Sequence, residues 1–452
     1  NSDKVVIAYR DPANNNYGTA IVGTVSGANI TYGTAVVFSS QGGFVAKYNT
    51  AVFDSNSNKV VIAYEEATGG SPSWNAKAIV GTVSGTSISF GTAAVFAAYE
   101  LEELSGAFDS SANKVVFSYK ASSNPNYGKA VVGTVSGTGI SFGTPVDFNT
   151  AGSNYTATTY DVNANKTVIS FSNLGNSSYG TGIVGTISGT SISFGSPVVY
   201  NSAYIVYNVS TYDANSQKVA IAYANGGNSD FGTAIVATVS GTSISFGTAA
   251  AFNAGESNKI SVTYDSSSNK VVMSCMDDDN NGRGNAVVGT VSGTSISFGT
   301  NVFFTTGRAS DISSTFDTVA NKVVISYYTD GGGLADHGAC IVGTVSGTSI
   351  SFGTQVVFNA AGTKTTACSY DTGADRTVIS FKNDSPASGK AIAGAVSGTS
   401  ISFNTASQFL AAAPEYTSSV YDSSAGKVVT VYQQSGNYGY GVILSASSSN
   451  LT

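Results

Sequence analysis

The acidic loop at residues 277–282 is the clearest candidate for metal chemistry in this sequence. Asp277, Asp279 and Asn281 alternate along it and Gly282 follows, which is the spacing that opens an EF-hand calcium loop. The twelfth position of that motif is Val288 instead of glutamate, and no helical pattern flanks the loop. The sequence therefore favours a solvated acidic loop. Ca²⁺ binding by the same three residues is the alternative, and no other cofactor is implied.

Residues suited to catalysis are few. His337 is the only histidine, so a Ser-His-Asp arrangement would depend on it together with Asp330 or Asp336. A glycan-cleaving enzyme needs two carboxyl groups that flank one bond, whereas the acids outside the repeated turns are scattered over different loops. The sequence contains neither a P-loop nor a Gly-x-Ser-x-Gly motif. These observations predict that the protein is not an enzyme.

A row of ring-bearing side chains recurs at one position of an internal repeat, immediately before a glycine or one residue away from that position. Its members are Tyr17, Trp74, Tyr127, Tyr179, Phe231, His337 and Tyr438. Exposed rings stack on sugar faces or anchor a protein partner, so the row is the predicted ligand-binding set. The alternative is that each ring packs over the end of a hairpin, with the glycine supplying an unusual backbone dihedral.

The internal repeat has a period of about 52 residues. A Val-Ser-Gly string, once Ile-Ser-Gly, ends at Gly27, Gly85, Gly137, Gly189, Gly241, Gly293, Gly347 and Gly398. A second string, Lys-Val-Val-Ile-Ala-Tyr in its fullest form, begins at Lys4 and Lys59 and recurs in nine copies altogether. Repeats of this length indicate stacked units, each of which buries its apolar faces against its neighbours.

Each unit is predicted to form four short antiparallel strands, labelled a to d. In the unit at residues 156–200, strand a is Thr156–Tyr160, strand b is Lys166–Phe171, strand c is Gly182–Ile187 and strand d is Ser191–Phe194, extended to Tyr200 through a bulge at Gly195. Strand b is apolar on both faces, so each sheet must pack between two others. Small four-stranded sheets stacked in this way predict an all-β fold, a β-propeller, with a β-solenoid as the rival.

The copies predict a single domain over residues 1–452. It comprises nine units, of which the first lacks strand a and the last stops early in strand d. Propellers typically have four to eight blades. An eight-bladed ring with a remnant, or a piece of a longer array, is therefore the alternative to nine blades.

The two rims of such a ring differ in sequence. The a–b turn repeats as Asp-x-x-x-Asn-Lys and the c–d turn as Ser-Gly-Thr-Ser, whereas the b–c and d–a connections differ almost completely among copies. The repeated aspartate is predicted to close the a–b turn, with the lysine opposite neutralising it. The variable rim is the predicted recognition surface, because loops on a rigid scaffold carry function. Drift in loops without a function is the alternative.

Composition narrows the remaining classes of function. A net charge of −7 offers no basic patch for nucleic acid, and no apolar run is long enough to span a membrane as a helix. The three cysteines, Cys275, Cys340 and Cys368, have no metal-binding spacing and are predicted to be small apolar residues in strands, with one disulfide as the alternative.

The segment Ile79–Thr92, which reads IVGTVSGTSISFGT, resembles a repeat of surface and tail-fibre-like β-propeller proteins of aquatic bacteria and bacteriophages. The resemblance covers nearly the whole chain. It implies an extracellular, cell-surface or virion-borne module and transfers no catalytic residue. The preferred hypothesis is a non-enzymatic propeller that binds a glycan or protein through its variable rim. A fibre or appendage subunit assembled through that rim is the second hypothesis, and a glycan-cleaving propeller is the third.

Overall fold

The computed structural model describes the backbone of residues 4–11, 17–26, 29–32, 36–39, 45–67, 74–84, 87–122, 126–330, 336–410, 414–422, 427–434 and 438–444. Side chains are described for residues 36–38, 50–67, 74–83, 88–122, 126–329 and 336–408. Strands dominate this part of the chain. Its only helices are three one-turn 3-10 helices, at Leu174–Asn176, Gly226–Asn228 and Asp278–Asn280. None of the described helices is long or apolar enough to cross a membrane.

The strands follow the repeat. The first three units contain β1 (Lys4–Asp11), β2 (Tyr17–Ser26), β3 (Asn29–Tyr32), β4 (Val36–Ser39); β5 (Val45–Asp54), β6 (Lys59–Ala67), β7 (Trp74–Ser84), β8 (Ser87–Phe90), β9 (Ala94–Ala97); and β10 (Leu101–Asp109), β11 (Lys114–Ala121), β12 (Gly128–Ser136), β13 (Gly139–Phe142), β14 (Val146–Asn149). Units four to six contain β15 (Ser153–Asp161), β16 (Lys166–Asn173), β17 (Tyr179–Ser188), β18 (Ser191–Phe194), β19 (Val198–Asp213); β20 (Lys218–Asn225), β21 (Phe231–Ser240), β22 (Ser243–Phe246), β23 (Ala250–Asp265); and β24 (Lys270–Asp277), β25 (Arg283–Ser292), β26 (Ser295–Phe298), β27 (Val302–Asp317). Units seven to nine contain β28 (Lys322–Asp330), β29 (His337–Ser346), β30 (Ser349–Phe352), β31 (Val356–Asp371); β32 (Arg376–Asp384), β33 (Ala387–Ser397), β34 (Ser400–Phe403), β35 (Ser407–Leu410); and β36 (Pro414–Asp422), β37 (Lys427–Gln434), β38 (Tyr438–Leu444).

Four connections between strands d and a differ from the predicted loops. β19, β23, β27 and β31 each run for 16 residues without a break. The first part of β19 pairs with β17 as strand d of the fourth unit, and its second part pairs with β20 as strand a of the fifth. The prediction of separate d and a strands joined by a loop is therefore wrong at these four junctions. β19 has no glycine or proline over Ser202–Val209, but β23, β27 and β31 continue through Gly255, Gly307 and Gly362, so a single glycine does not end the strand at these junctions.

The predicted burial of strand b on both faces is confirmed. In β20, Val219, Ile221 and Tyr223 pack into a cluster with Val168 and other residues of the fourth unit. The alternate residues Ala220 and Ala222 pack with Val271 and Met273 of the sixth unit. One sheet therefore lies between two others. The most extensive contacts between successive units are those between their a strands, which places strand a innermost.

The Ser-Phe-Gly and Ser-Gly-Thr motifs meet at the boundaries between units. A Cβ built on Gly195 would lie 1.8 Å from the carbonyl oxygen of Thr242 in the next unit. Equivalent positions with the same approach, 1.6 to 1.8 Å, are Gly91, Gly143, Gly247, Gly299 and Gly353. Only glycine allows the two backbones to come so close. These two repeated motifs therefore form a contact between neighbouring units.

The repeated aspartate closes the a–b turn as predicted. In the fifth unit, Oδ1 of Asp213 accepts hydrogen bonds from the backbone N–H groups of Asn215 and Ser216, both at 3.0 Å. The same pair of bonds occurs at Asp54, Asp109, Asp161, Asp265, Asp317 and Asp371. The predicted ion pair is wrong for the six from Asp54 to Asp317, because none of them lies within ion-pair distance of the lysine opposite.

The two ends of the chain meet in one sheet. β1 pairs with β38, so strand c of the ninth unit lies beside strand b of the first, where the first unit lacks its own strand a. β3 of the first unit also contacts β33 and β35 of the eighth. The first unit therefore adjoins both the eighth and the ninth. The number of blades stays a prediction, nine with eight as the alternative.

The three cysteines lie in strands, as predicted. Cys275, Cys340 and Cys368 are buried and none is in a disulfide. Burial raises the pKa of the Cys275 thiol to about 12. A thiol that stays protonated behaves as a small apolar side chain.

Candidate binding site on the variable rim

A β-bulge interrupts the start of strand a in six successive units. Between β15 and β16 the register shifts between Asn154 and Ala157, and equivalent shifts occur in the other five units. At each bulge one residue other than glycine has a positive φ, between 47° and 57°; we call this set the axial residues, Glu103, Tyr155, Tyr207, Lys259, Asp311 and Thr365. A left-handed backbone conformation is costly for such residues and is often found at functional sites.

Axial residues of neighbouring units form a chain of contacts at four of the five boundaries from unit three to unit eight. Glu103 Oε2 accepts a hydrogen bond from the backbone N–H of Tyr155 at 2.8 Å. The rings of Tyr155 and Tyr207 lie 6.0 Å apart, centroid to centroid. Lys259 Nζ is 3.1 Å from Asp311 Oδ1, and Asp311 Oδ2 accepts a hydrogen bond from the backbone N–H of Thr365 at 2.9 Å. Because strand a is innermost and the bulges lie near its first residue, this chain follows the inner edge of the variable rim.

Tyr155 is held from both sides. Its carbonyl oxygen accepts a hydrogen bond from Asn208 Nδ2 at 2.9 Å, while its N–H is bound by Glu103. Asn208 is only 6% exposed, and Tyr200 donates its hydroxyl hydrogen to Asn208 Oδ1 at 2.9 Å. Groups from the units on either side therefore fix the backbone that carries the Tyr155 ring.

Tyr155 and Tyr204 are the two aromatic side chains that are exposed among the residues with described side chains, at 36% and 44%. Tyr204 lies in the same strand as Tyr207, and its hydroxyl donates to Asp230 Oδ2 at 2.8 Å. Its ring lies against Gly226, where an added Cβ would come within 2.2 Å of ring atoms. We call Tyr155, Tyr204 and Tyr207 the tyrosine patch. The patch presents fixed, partly exposed rings on the variable rim of units four and five.

Charged groups flank the tyrosine patch. Burial raises the pKa of Glu103, although its hydrogen bond to Tyr155 and the nearby Lys120 act in the opposite direction. Burial lowers the pKa of Lys259, but Asp311 outweighs this effect, so the pKa of Lys259 is raised overall. The hydrogen bond to Asp230 raises the pKa of Tyr204. Burial also raises the pKa of Tyr155, so Tyr155 and Tyr204 are uncharged near neutral pH, with the Lys259–Asp311 ion pair beside the patch.

Glu103→Gln is expected to stabilise the protein at neutral pH. A carboxyl whose folded-state pKa is raised contributes stability below its unfolded pKa and loses it as the pH rises through the folded value. Glutamine keeps an oxygen acceptor for the Tyr155 amide without that loss. Urea unfolding of both proteins at pH 3.5 and pH 7 should show a benefit of the substitution that grows with pH; a benefit that shrinks would contradict it.

The predicted row of rings lies elsewhere on the rim. Trp74, Tyr179, Phe231 and His337 open strand c of their units and Tyr127 directly precedes it, all half-buried; the side chains of Tyr17 and Tyr438 lie outside the described residues. Each of these residues belongs to a different unit, and strand c is the third strand from the axis in each unit. No ring contact joins Tyr127, Tyr179, Phe231 or His337 to another member of the row. Tyr179 alone lies opposite a patch residue, Tyr204. The binding role of the row stays a prediction.

The glycine after each predicted ring has a different role from the one expected. Gly180 has no positive φ, and a Cβ there would lie 2.5 Å from the Tyr200 ring. Gly128, Gly232 and Gly338 meet a phenylalanine of strand d in the same way, as does Gly284, which follows Arg283 in the sixth unit. The expectation of an unusual backbone dihedral is therefore wrong, since these glycines make room for a buried ring.

The predicted calcium residues are directed to different partners. Asp277 is buried and precedes a one-turn 3-10 helix, whereas Asp279 and Asn281 are exposed. Asp279 Oδ2 accepts a hydrogen bond from the backbone N–H of Glu256 at 3.2 Å, and Asn280 Nδ2 donates to Asp277 Oδ2 at 3.0 Å. The fourth and fifth units form the same turn from asparagine, glycine and serine. Nowhere in the described part of the chain do three or more His, Cys, Asp or Glu side chains form a metal site.

Comparison with known proteins identifies the fold. No family model and no curated protein matches the chain. Sqt1 from Chaetomium thermophilum is similar over 90% of this chain and 97% of its own, with 9% identity and a TM-score of 0.55. A protein from Lactobacillus plantarum covers 77% of this chain and 96% of its own at 10% identity, TM-score 0.48, and a leech intramolecular trans-sialidase covers 84% and 80% at 9% identity, TM-score 0.43. The similarity to Sqt1 is that of a propeller-like fold, in agreement with the stacked four-stranded sheets described above. The fold is a β-propeller. At such low identity the similarity extends to the fold alone.

Proposed function

We propose that this propeller is a non-enzymatic recognition protein that binds a glycan at the tyrosine patch. The observation that carries the proposal is that both exposed aromatic side chains of the described residues, Tyr155 and Tyr204, lie on the variable rim of units four and five, where the Tyr155 ring also contacts Tyr207. Sugar rings present apolar C–H faces that stack on aromatic rings, and preorganised rings bind with little loss of conformational entropy. In the free protein, hydrogen bonds already fix the backbone that carries the Tyr155 ring and the hydroxyl group of Tyr204.

Binding without catalysis fits the state of the nearby carboxylates. Glu103 and Asp311 each accept a backbone hydrogen bond from the next unit, and Asp311 is also paired with Lys259. Hydrolysis of a glycoside needs two carboxyl groups placed on either side of one bond. Glu103 and Asp311 belong to units three and seven, and both have structural partners, so we assign them to the scaffold.

The repeat resemblance supports a place for this protein outside the cell, on a cell surface or on a virion. Glycans are abundant at such surfaces, and a low content of charged residues together with variable rim loops suits a module that discriminates among them. Recognition of a protein through the same patch, or assembly of copies into a fibre, are outcomes that the experiment below separates from glycan binding.

Binding of the chain to a panel of immobilised glycans tests the proposal. Wild-type protein is expected to bind a subset, and Tyr155→Ala combined with Tyr207→Ala is expected to weaken that binding at least about tenfold, as loss of an aromatic anchor does. The matched control is Val162→Ala, which removes an exposed apolar side chain on the opposite rim and should leave binding unchanged.

Three results would contradict glycan binding at the patch. They are an absence of binding to every glycan, equal effects of the tyrosine and valine substitutions, and binding that survives loss of both tyrosines. Growth of particles with protein concentration, in the absence of glycan binding, would favour the fibre subunit instead.

A further inference from the structure

Two boundaries between units show a carboxylate bound to the backbone amide of a bulge. Glu103 occupies the amide of Tyr155, and Asp311 occupies the amide of Thr365, at 2.8 and 2.9 Å. In both cases the carboxylate belongs to the axial residue of the preceding unit. Charge-assisted hydrogen bonds from backbone amides to carboxylates are among the stronger polar contacts in proteins. The propeller itself thus shows what these bulge amides bind.

Three intervening boundaries have the same backbone without the carboxylate. Tyr207, Lys259 and Asp311 share the positive φ and the register shift of Tyr155 and Thr365. The axial residues that precede them are Tyr155, Tyr207 and Lys259, and none of these has an acceptor group like that of Glu103. Among the residues with described side chains, no side chain is hydrogen-bonded to these three amides.

From this difference we infer that the amides of Tyr207 and Lys259 form a subsite for a carboxylate of the ligand, so that the glycan bound at the tyrosine patch carries an acidic sugar. The inference rests on the proposed function. A carboxylate of the ligand would occupy the position that Glu103 has at the preceding boundary, while the rings of Tyr155 and Tyr207 contact the sugar face. Uronic and sialic acids share the required group.

Lys259 supports the subsite with its charge. Its side chain remains 37% exposed despite the ion pair with Asp311, so its ammonium can also face a bound anion. Glu103 lies at the preceding boundary, and its Oε2 is already bound to the Tyr155 amide. The subsite therefore combines amide donors that no described side chain occupies, a lysine and two tyrosine rings within units four to six.

Matched pairs of saccharides test the subsite by calorimetry on the whole chain. Trigalacturonate is compared with its methyl ester, and 3′-sialyllactose with its methyl ester, so that each pair differs only in the ionised carboxylate. We expect at least one acid to bind about tenfold more tightly than its neutral partner, the ratio that corresponds to one charge-assisted hydrogen bond. The pair that shows the preference identifies the source of the carboxylate.

Two substitutions at one position separate the carboxylate subsite from ring stacking. Tyr155→Glu places a carboxylate where Glu103 stands at the preceding boundary and should bring the acid-to-neutral ratio close to one. Tyr155→Leu removes the same ring without adding a hydrogen-bond acceptor and should weaken both saccharides while keeping their ratio.

The outcomes for the subsite and for the proposed function are distinct. Equal binding of acid and neutral partner by the wild-type chain overturns the subsite while leaving glycan binding intact, and this result needs no variant to fold. A ratio that survives Tyr155→Glu also overturns it. Failure of both saccharide pairs overturns the acidic-sugar assignment, whereas glycan recognition itself is overturned only if the full panel of glycans is negative.

Discussion

Gly195→Ala is expected to lower the free energy of unfolding by about 3 kcal/mol, the upper range for forcing extra volume into a packed site. The new Cβ would lie 1.8 Å from the carbonyl oxygen of Thr242, so the backbones of two units must separate. No flexible side chain can move aside, because the opposing atom belongs to the backbone. Urea denaturation at neutral pH measures the loss.

The matched control for this glycine is Gly189→Ala. Gly189 has a φ of +61° and no heavy atom within 4 Å of a built Cβ, so alanine there incurs only the cost of a left-handed conformation, about 1 kcal/mol. A loss at Gly195 no greater than that at Gly189 would show that the contact between units tolerates separation, and the role assigned to the Ser-Phe-Gly motif would be wrong.

Asp213→Ala is expected to destabilise the protein by about 2–3 kcal/mol, since it leaves two backbone N–H groups of the turn without their acceptor. Asp213 is 1% exposed, so water cannot easily replace the carboxylate. Lys218→Ala, directly across the hairpin, is expected to cost less than about 0.5 kcal/mol, because Lys218 forms no ion pair with Asp213.

Asp213→Asn refines this test, because asparagine keeps one side-chain oxygen for the two amides and should lose less stability than alanine. Thermal unfolding of the three variants gives the order. If Asp213→Ala and Lys218→Ala lost equal stability, the main role of the repeated Asp and Lys would be their ion pair. The hydrogen bonds from the turn amides to Asp213 would then not explain the stability of the turn.

The repeated part of the fold is predictable because it is dictated by period and pattern. Strand b carries β-branched residues on both faces, and the structure buries Val219 and Ala220 against opposite neighbours. The turn aspartate is equally readable, because Asp accepts hydrogen bonds from amides two and three residues on. Continuity of strand d into strand a was not predicted. The sequence does not mark these junctions, because β23, β27 and β31 run through a glycine, the residue that ordinarily signals a turn.

The candidate site was not predictable from residue types. Glu103, Tyr155 and Lys259 share a backbone conformation that ordinarily favours glycine, and their side chains have nothing in common. What identifies these residues in the sequence is their position, six residues before each turn aspartate. Tyr48 and Tyr416 occupy the same position in the second and ninth units. The predicted row before strand c repeats an aromatic type, yet the repeat places that row away from the axis.

The strands shared between units determine how the molecule opens. When β19 leaves the fourth unit's sheet, the fifth unit loses its innermost strand at the same time, and one face of Val219 and Ile221 is exposed to water. Local opening therefore costs the burial of two sheets instead of one, unlike an array whose repeats are joined by loops. From the fourth unit to the eighth we expect amide hydrogen exchange to proceed through one large cooperative transition. The tyrosines on the rim of units four and five therefore lie on sheets that we expect to unfold together.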